Sequence, residues 1–128
     1  MEKKRRLKIF LATVGEPIPS DSISARLHKT GQFSKWLSER GHEVMFFNGT
    51  FDHQNRKQRF SKTKEIIINE NYKIVLLWGR EYKKSISIKR FLNHIDVAKS
   101  FNKWKKNSED IPDIIICSYP IEELCNVF

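Results

Sequence analysis

Asp52 and His53 stand side by side in the segment 49–60, GTFDHQNRKQRF, with Arg56, Lys57 and Arg59 close behind. A carboxylate and an imidazole are the usual parts of acid–base chemistry, and clustered guanidinium and ammonium groups grip phosphate or pyrophosphate. Neighbouring residues make poor direct acid–base partners, so each would face a substrate separately. Spacing by itself favours an ordinary charged surface loop. A second cluster, residues 15–31, reads GEPIPSDSISARLHKTG. It leaves an apolar run and opens a helix whose first amides could hold an anion, with Arg26, His28 and Lys29 in the opening turns. Its two prolines could equally serve only to shape a connection. Glu122 and Glu123 follow the last apolar run, either as rim residues or as ordinary acids at a helix start. His94 lies beside the apolar stripe of a long helix, where a packed or half-exposed imidazole is the ordinary outcome.

Several chemistries are excluded. No G-x-G-x-x-G follows the first apolar run, and no Walker loop, G-x-S-x-G, H-E-x-x-H or kinase signature occurs. Cys117 and Cys125 lie eight apart, with no C-x-x-C and no Cys/His pair at zinc spacing, so two reduced thiols and no metal are expected. The chain has 128 residues, 24 Lys plus Arg against 15 Asp plus Glu, and a formal net charge of +9. Such a charge attracts nucleic acid, anionic headgroups or phosphorylated small molecules. The cations are spread over Lys3 to Arg6, Arg56 to Arg59, Lys83-Lys84, Lys89-Arg90 and Lys103 to Lys106, which also suits plain solvated faces. Only five Gly and four Pro are present, which excludes collagen-like and low-complexity chains. Apolar runs reach only about six residues, too short for a membrane span. The opening MEKKRRLKIFLATVG is basic, but the apolar stretch after Lys8 is shorter than a signal-peptide core and no cleavage site follows.

The elements that must position these residues alternate. Residues 7–14 (LKIFLATV), 44–47 (VMFF), 72–78 (YKIVLLW) and 113–118 (DIIICS) read as buried strands. Residues 25–40 read as a helix, capped by Ser22 or Ser24 and ended by Gly41. Its buried stripe would be Leu27, Gly31, Ser34 and Leu37, widened by Phe33 and Trp36. Residues 48–60 read as a loop, and 61–71 as either a short strand or a helical turn. Residues 88–106 read as a long helix with an apolar stripe of Ile88, Phe91, Leu92, Ile95, Ala98 and Phe101. Its wet face would carry Lys89, Arg90, Asn93, Asp96 and Lys103. A last helix would begin near Ile121, after a turn at Tyr119-Pro120. This order predicts one α/β domain over residues 1–128, a Rossmann-like doubly wound parallel sheet that looks incomplete at its carboxyl end.

Four stretches carry a resemblance: G-E-P-I-P-S-D with R-L-H-K-T-G-Q-F-S-K-W-L-S-E-R-G-H-E-V, then T-F-D-H-Q with R-F, then S-I-K-R-F-L-N-H with A-K-S-F, then P-D-I-I-I-C-S-Y-P-I-E. Together they resemble the amino-terminal domain of family-4-type glycosyltransferases, the GT-B enzymes of bacterial surface-polysaccharide synthesis. T-F-D-H-Q and P-D-I-I-I-C-S-Y-P-I-E are the specific parts; many proteins share L-S-E-R-G-H-E-V. The resemblance runs over residues 8–124. It implies the acceptor-side half of a retaining enzyme that moves a sugar from a nucleotide-sugar donor to a glycan or lipid-linked acceptor. It implies no metal, and substrate contacts at Gly15, Glu16, Arg26, Asp52, His53, Tyr119 and Glu122, with Arg56, Lys57 and Arg59 for anions. The place implied is cytoplasmic, peripheral to the inner face of the cell membrane, with its anionic surface as a partner. These 128 residues hold neither a donor-binding domain nor the family's paired-glutamate motif, E-x-seven-E. The chain alone is therefore expected to be inactive and to need a carboxyl-terminal half, in the same chain or in a separate one. A basic module binding nucleic acid is the remaining alternative, with the charge but no recognised motif and no specific nucleic-acid partner.

Overall fold

The computed structural model describes residues 5–21, 26–84 and 86–117. Seven strands and two helices follow in the order β1 (Lys8–Ala12), α1 (Lys29–Glu39), β2 (Glu43–Gly49), β3 (Phe51–Asp52), β4 (Lys57–Gln58), β5 (Lys64–Asn69), β6 (Tyr72–Leu77), α2 (Ile88–Lys106) and β7 (Ile114–Cys117). The main sheet has the order β5-β6-β2-β1-β7. Four of its strands are parallel and β5 alone runs antiparallel to β6. The fold is thus mixed α/β with a five-stranded, mostly parallel sheet. The chain builds outward from β1 through β2 to β6, then crosses back to place β7 on the other side of β1.

Near-continuous apolar strands suit a sheet covered on both faces, because successive side chains point to opposite sides. Ile9, Leu11, Val44, Phe46, Ile74 and Leu76 face one way and meet Leu37 of α1 and Ile18 of the first loop. Phe10, Ala12, Met45, Phe47, Val75 and Leu77 face the other way and meet Val97 and Phe101 of α2. Each fully buried Leu, Ile or Phe among them is worth about 1.5–3 kcal/mol. Phe47 anchors the second core, edge-on to Phe10, Phe101 and Trp104 at ring separations of 5.0, 5.3 and 4.9 Å. At the amino-terminal end of the sheet the polar groups serve the fold: Lys8 Nζ donates to Asp110 at 2.8 Å, and the Lys8 amide donates to Asp113 at 2.8 Å.

Several sequence expectations change. Residues 48–60 are not a plain loop: β2 runs on through Asn48 and Gly49, and β3 and β4 pair as a small hairpin. The ambiguous 61–71 stretch is the antiparallel strand β5, so no helix lies between β2 and β6 among the described residues. The first helix begins at Lys29 rather than residue 25, and its cap residue His28 makes no side-chain cap bond. The Glu16 carboxylate instead accepts from the Gly31 amide at 3.4 Å, reaching in from the preceding loop. Phe33 and Trp36 do not widen the buried stripe of α1. They are exposed, and Arg40 stacks over the Trp36 ring at 3.5 Å. Gly31, Ser34, Leu37 and Ser38 are the buried positions, because small residues let the helix lie close on the sheet.

The stripe of α2 is also rotated. Asn93, Asp96, Val97, Ala98 and Phe101 are buried, whereas Ile88 and Phe91 are exposed. Asn93 and Asp96, read as wet, are drawn inward by backbone groups past the end of β6. Asn93 Nδ2 donates to the Arg80 carbonyl at 2.6 Å, and Asp96 accepts from the Arg80 amide at 3.1 Å and from its Nε at 2.6 Å. Ser100 Oγ donates to the Trp78 carbonyl at 2.8 Å. Gly79 makes the close crossing possible: a Cβ there would meet Asn93 Nδ2 at 2.7 Å and its carbonyl oxygen at 3.0 Å. The capping serines 22 and 24, the turn at Tyr119-Pro120, the helix at Ile121 and Cys125 lie outside the described residues. No helix among the described residues is long and apolar enough to cross a membrane.

Candidate functional site

The carboxyl ends of β1, β2 and β6 form one rim, and open α/β sheets bind ligands outside such ends. Three connections meet there: the loop after β1, the β3–β4 hairpin after β2, and the segment after β6. Asn48, fully buried near the end of β2, ties the first two together. Its Oδ1 accepts from the Gly15 amide at 3.0 Å, and its Nδ2 donates to the Glu16 carbonyl at 2.7 Å.

Gly15 has φ +87°, and a Cβ at that position would lie 3.2 Å from His53 Cβ. Any other residue would be both strained and crowded, so glycine lets the loop pass directly beside His53. The His53 ring continues to the third connection, with Nδ1 2.6 Å from the Tyr82 hydroxyl in a hydrogen bond whose donor depends on the imidazole tautomer. Tyr82 is buried, packed at 4.6 Å against Phe51 of β3, and the Arg56 guanidinium stands 5.6 Å from its ring. Burial, then the positive fields of Arg90 and Arg56, hold the His53 imidazole below its ordinary range against the opposing pull of Asp52. Burial pushes the Tyr82 phenol up, with the same two arginines opposing it. At neutral pH the site therefore presents a neutral imidazole and a protonated phenol near the Arg56 guanidinium and in the field of Arg90. Such a set can bond sugar or alcohol hydroxyls through the ring and phosphate oxygens through the arginines.

Asp52 and Arg59 face inward and build the hairpin instead. Asp52 is buried and accepts from the Gln54 amide at 3.0 Å, the Asn55 amide at 3.2 Å and Asn55 Nδ2 at 2.8 Å. These bonds close the turn in which Arg56 takes φ +54°. Burial alone would raise the Asp52 carboxyl, but the Asn55 bonds, the Arg59 charge and the Gln54 amide together bring it below its ordinary value. The Arg59 side chain is 8% exposed. It grips Asp21 with both ends of its fork, at 2.7 and 2.8 Å, and donates to the Gly49 and Glu16 carbonyls at 3.1 and 3.2 Å. Most of its donors are thus spent on the protein. A cleft of about 710 Å³ lies beside this pair, with Ile18, Lys57 and Ile66 among its walls.

The other candidates are spread around the same end. Glu16, Arg26, His28 and Lys29 line a shallow cleft of about 600 Å³ at the start of α1. Its floor is already served: the Glu16 carboxylate takes the place at the helix amides where an anion would sit. His28 reaches across to Gln54 of the hairpin, Nε2 to Nε2 at 3.0 Å. Arg56 and Lys57 are exposed at the hairpin tip. His94 keeps a partly buried place on α2. Tyr119 and Glu122 lie outside the described residues. The structure thus brings Gly15, His53 and Arg56 together, keeps Asp52 and Arg59 for the hairpin, and adds Tyr82, Asn48 and Arg90, which the sequence reading did not single out as site residues. Tyr82 had one usable signal: it comes three residues after the glycine that closes an apolar strand, where rim residues fall. Among the described residues, no group of three or more His, Cys, Asp or Glu could hold a metal ion.

The chain matches no protein-family model and no curated protein.

Proposed function

We propose that this chain is the acceptor-side, amino-terminal domain of a retaining GT-B glycosyltransferase, completed by a donor-binding half. One observation carries the proposal: the first loop, the hairpin and the segment after β6 converge at the carboxyl rim on Gly15, His53, Tyr82 and Arg56. The finer reading of the fold belongs with it. Strand order β6-β2-β1-β7, with α1 and α2 on opposite faces, supports this reading, because the first four strands of a Rossmann-like doubly wound sheet would take the same order, reversing at the first strand. The resemblance through T-F-D-H-Q supports a substrate-facing role for His53, while Asp52 holds the hairpin. In the transfer, the bond between the sugar's anomeric carbon and the donor diphosphate breaks. A bond to an acceptor hydroxyl forms, and that hydroxyl passes its proton to the departing diphosphate. His53 would bond a sugar or acceptor hydroxyl, while Arg56 and Lys57 would face the acceptor's phosphate. The donor half would carry the nucleotide. The chain would work on the cytoplasmic side of the membrane, where nucleotide sugars are made.

The deciding experiment is an amide NMR titration of the chain with a polyprenyl-diphosphate-linked sugar, in neutral detergent. Shifts centred on Gly15, His53 and Tyr82 are expected, weakened at least about tenfold in the double variant Arg56→Glu, Lys57→Glu, since two charge-assisted contacts are lost. No shifts, or shifts unaffected by the charge reversal, would overturn the proposal.

A second reading, a half that pairs with a separate carboxyl-terminal chain, is favoured by β7. Its only described neighbour is β1, and Ile114, Ile115 and Ile116 are all exposed. It predicts strong binding of a hydrophobic dye. A monodisperse monomer that leaves the dye dark would argue against it.

A further inference from the structure

We propose that the start of α2 docks the protein on an anionic bilayer, with Ile86, Ile88 and Phe91 entering the lipid interface and Lys83, Lys84 and Lys89 meeting the headgroups. The three apolar side chains are 95%, 79% and 52% exposed. The fold has a ready use for two of them and does not take it. Ser87 caps α2 by accepting from the Arg90 amide at 3.1 Å. Ile86 and Phe91 then occupy the two positions that pack together as a hydrophobic staple. With 95% of its surface in solvent, Ile86 makes no such contact. Burial along α2 begins only at Asn93, which is hooked to the Arg80 carbonyl. The opening turn carrying Ile88 and Phe91 therefore precedes the part of the helix that packs on the sheet.

Charge selects the occupant. Residues 83–91 carry Lys83, Lys84, Lys89 and Arg90 and no carboxylate. Interleaved cations and bulky apolar tips are what an interfacial anchor needs, since lipid binding grows with both apolar insertion and attraction to anionic headgroups. The two most exposed tips, Ile86 and Ile88, offer no face for base stacking, and Phe91 alone makes no platform for the successive bases of a single-stranded nucleic acid. Three separated side chains at a helix start are also too little for a stable protein interface. Arg90 connects this surface to the rim, because its charge acts on both His53 and Tyr82. Docking here would turn the rim site toward the bilayer and whatever acceptor it carries. The proposal stands without sugar transfer and is tested without it.

The test is flotation of the chain with vesicles of neutral phosphatidylcholine alone or mixed with phosphatidylglycerol, neither containing any glycan. Binding to the mixed vesicles only is expected, weakening as salt rises. The variant Ile86→Ser, Ile88→Ser, Phe91→Ser should lower the partition about tenfold or more, because apolar insertion is lost. Lys83→Glu, Lys84→Glu, Lys89→Glu should do the same. Near-ultraviolet circular dichroism and the urea midpoint check that both variants fold, and single Ile86→Ser provides a milder change at the most exposed position. No binding to mixed vesicles would overturn the proposal. So would full binding by the folded serine variant, which would leave only electrostatic adsorption. Retention on a generic DNA or RNA without vesicle binding would replace the bilayer by nucleic acid. Absence of vesicle binding by the unaltered chain, with intact NMR shifts from the diphosphate-linked sugar, would sink the docking surface and leave the acceptor site standing.

Discussion

His53 and Arg59 show how residues of one short segment divide between chemistry and construction. Both follow the same apolar strand, yet His53 points to the rim and Arg59 into the protein. Desolvation and the charges of Arg90 and Arg56 depress the His53 imidazole. Its titration, followed by the ring proton signals in NMR, should have a midpoint below the ordinary 6.5 or so. Removing a nearby positive charge favours the protonated ring, so Arg56→Gln should move that midpoint upward. A midpoint at or above the ordinary value in the unaltered chain would contradict the packing against Tyr82 and Gly15. For Arg59 the expectation concerns stability. Arg59→Ala strips a nearly buried guanidinium from Asp21 and from two carbonyls, and should cost about 3–5 kcal/mol in urea unfolding. A loss below about 1 kcal/mol would place this pair with ordinary surface bridges. The sequence showed that this segment held acid, imidazole and cations. It did not show which faced inward, because that depends on Asp21 and Glu16 arriving from a loop 38 to 43 residues earlier.

The two helices were visible in the sequence, and α2 was placed at its true bounds, because long apolar periodicity is a local signal. Their orientation was not. Ranking faces by hydrophobicity put Phe33, Trp36, Ile88 and Phe91 inside and Asn93 and Asp96 outside. The sheet reverses this: the Arg80 backbone past the end of β6 needs partners, and Asn93 and Asp96 supply them. The contrast can be measured on α1. Leu37→Ala should cost about 2–5 kcal/mol in urea unfolding, as a buried leucine does. Trp36→Ser should cost about 1 kcal/mol or less, since it removes only an exposed ring and its arginine stack. Equal losses would mean that Trp36 is covered after all. The hairpin β3–β4 escaped the sequence reading, and β5 was only one of two alternatives for its stretch, for a related reason. Two-residue strands carry no periodicity, and Lys64–Asn69 pairs antiparallel only because β6 is already there to receive it.

Across the molecule, charge is arranged by ends. Asp110 and Asp113 lock the amino-terminal end of the sheet, and Arg56 and Lys57 are exposed near the carboxyl rim. Its bond to Lys8, against some desolvation, holds the Asp110 carboxyl below its ordinary value, and the same bond raises Lys8. Asp52 and Asp96 are also held low, because their hydrogen bonds and arginine partners outweigh burial. A carboxyl with a lower value in the folded state takes up its proton first in the unfolded chain. The stability it contributes is therefore present above about pH 4 and lost as the pH falls through the folded value. The depressed His53 acts in the same direction from about pH 6.5 downward. Urea midpoints should thus fall steadily on acidification, and Asp110→Asn should flatten the part below about pH 4. An acid limb unchanged in that variant would deny Lys8–Asp110 its role. The sequence alone determined the order of the four buried strands and the two long helices, the two-sided burial of the sheet and the basic character, since each rests on local pattern or simple count. Only the tertiary structure decided which residues form the rim site and which polar groups become scaffold. It also decided which apolar side chains stay in water. Those outcomes depend on distant segments meeting, and a hydrophobic or charged residue reads the same in sequence whether or not another element arrives to cover it.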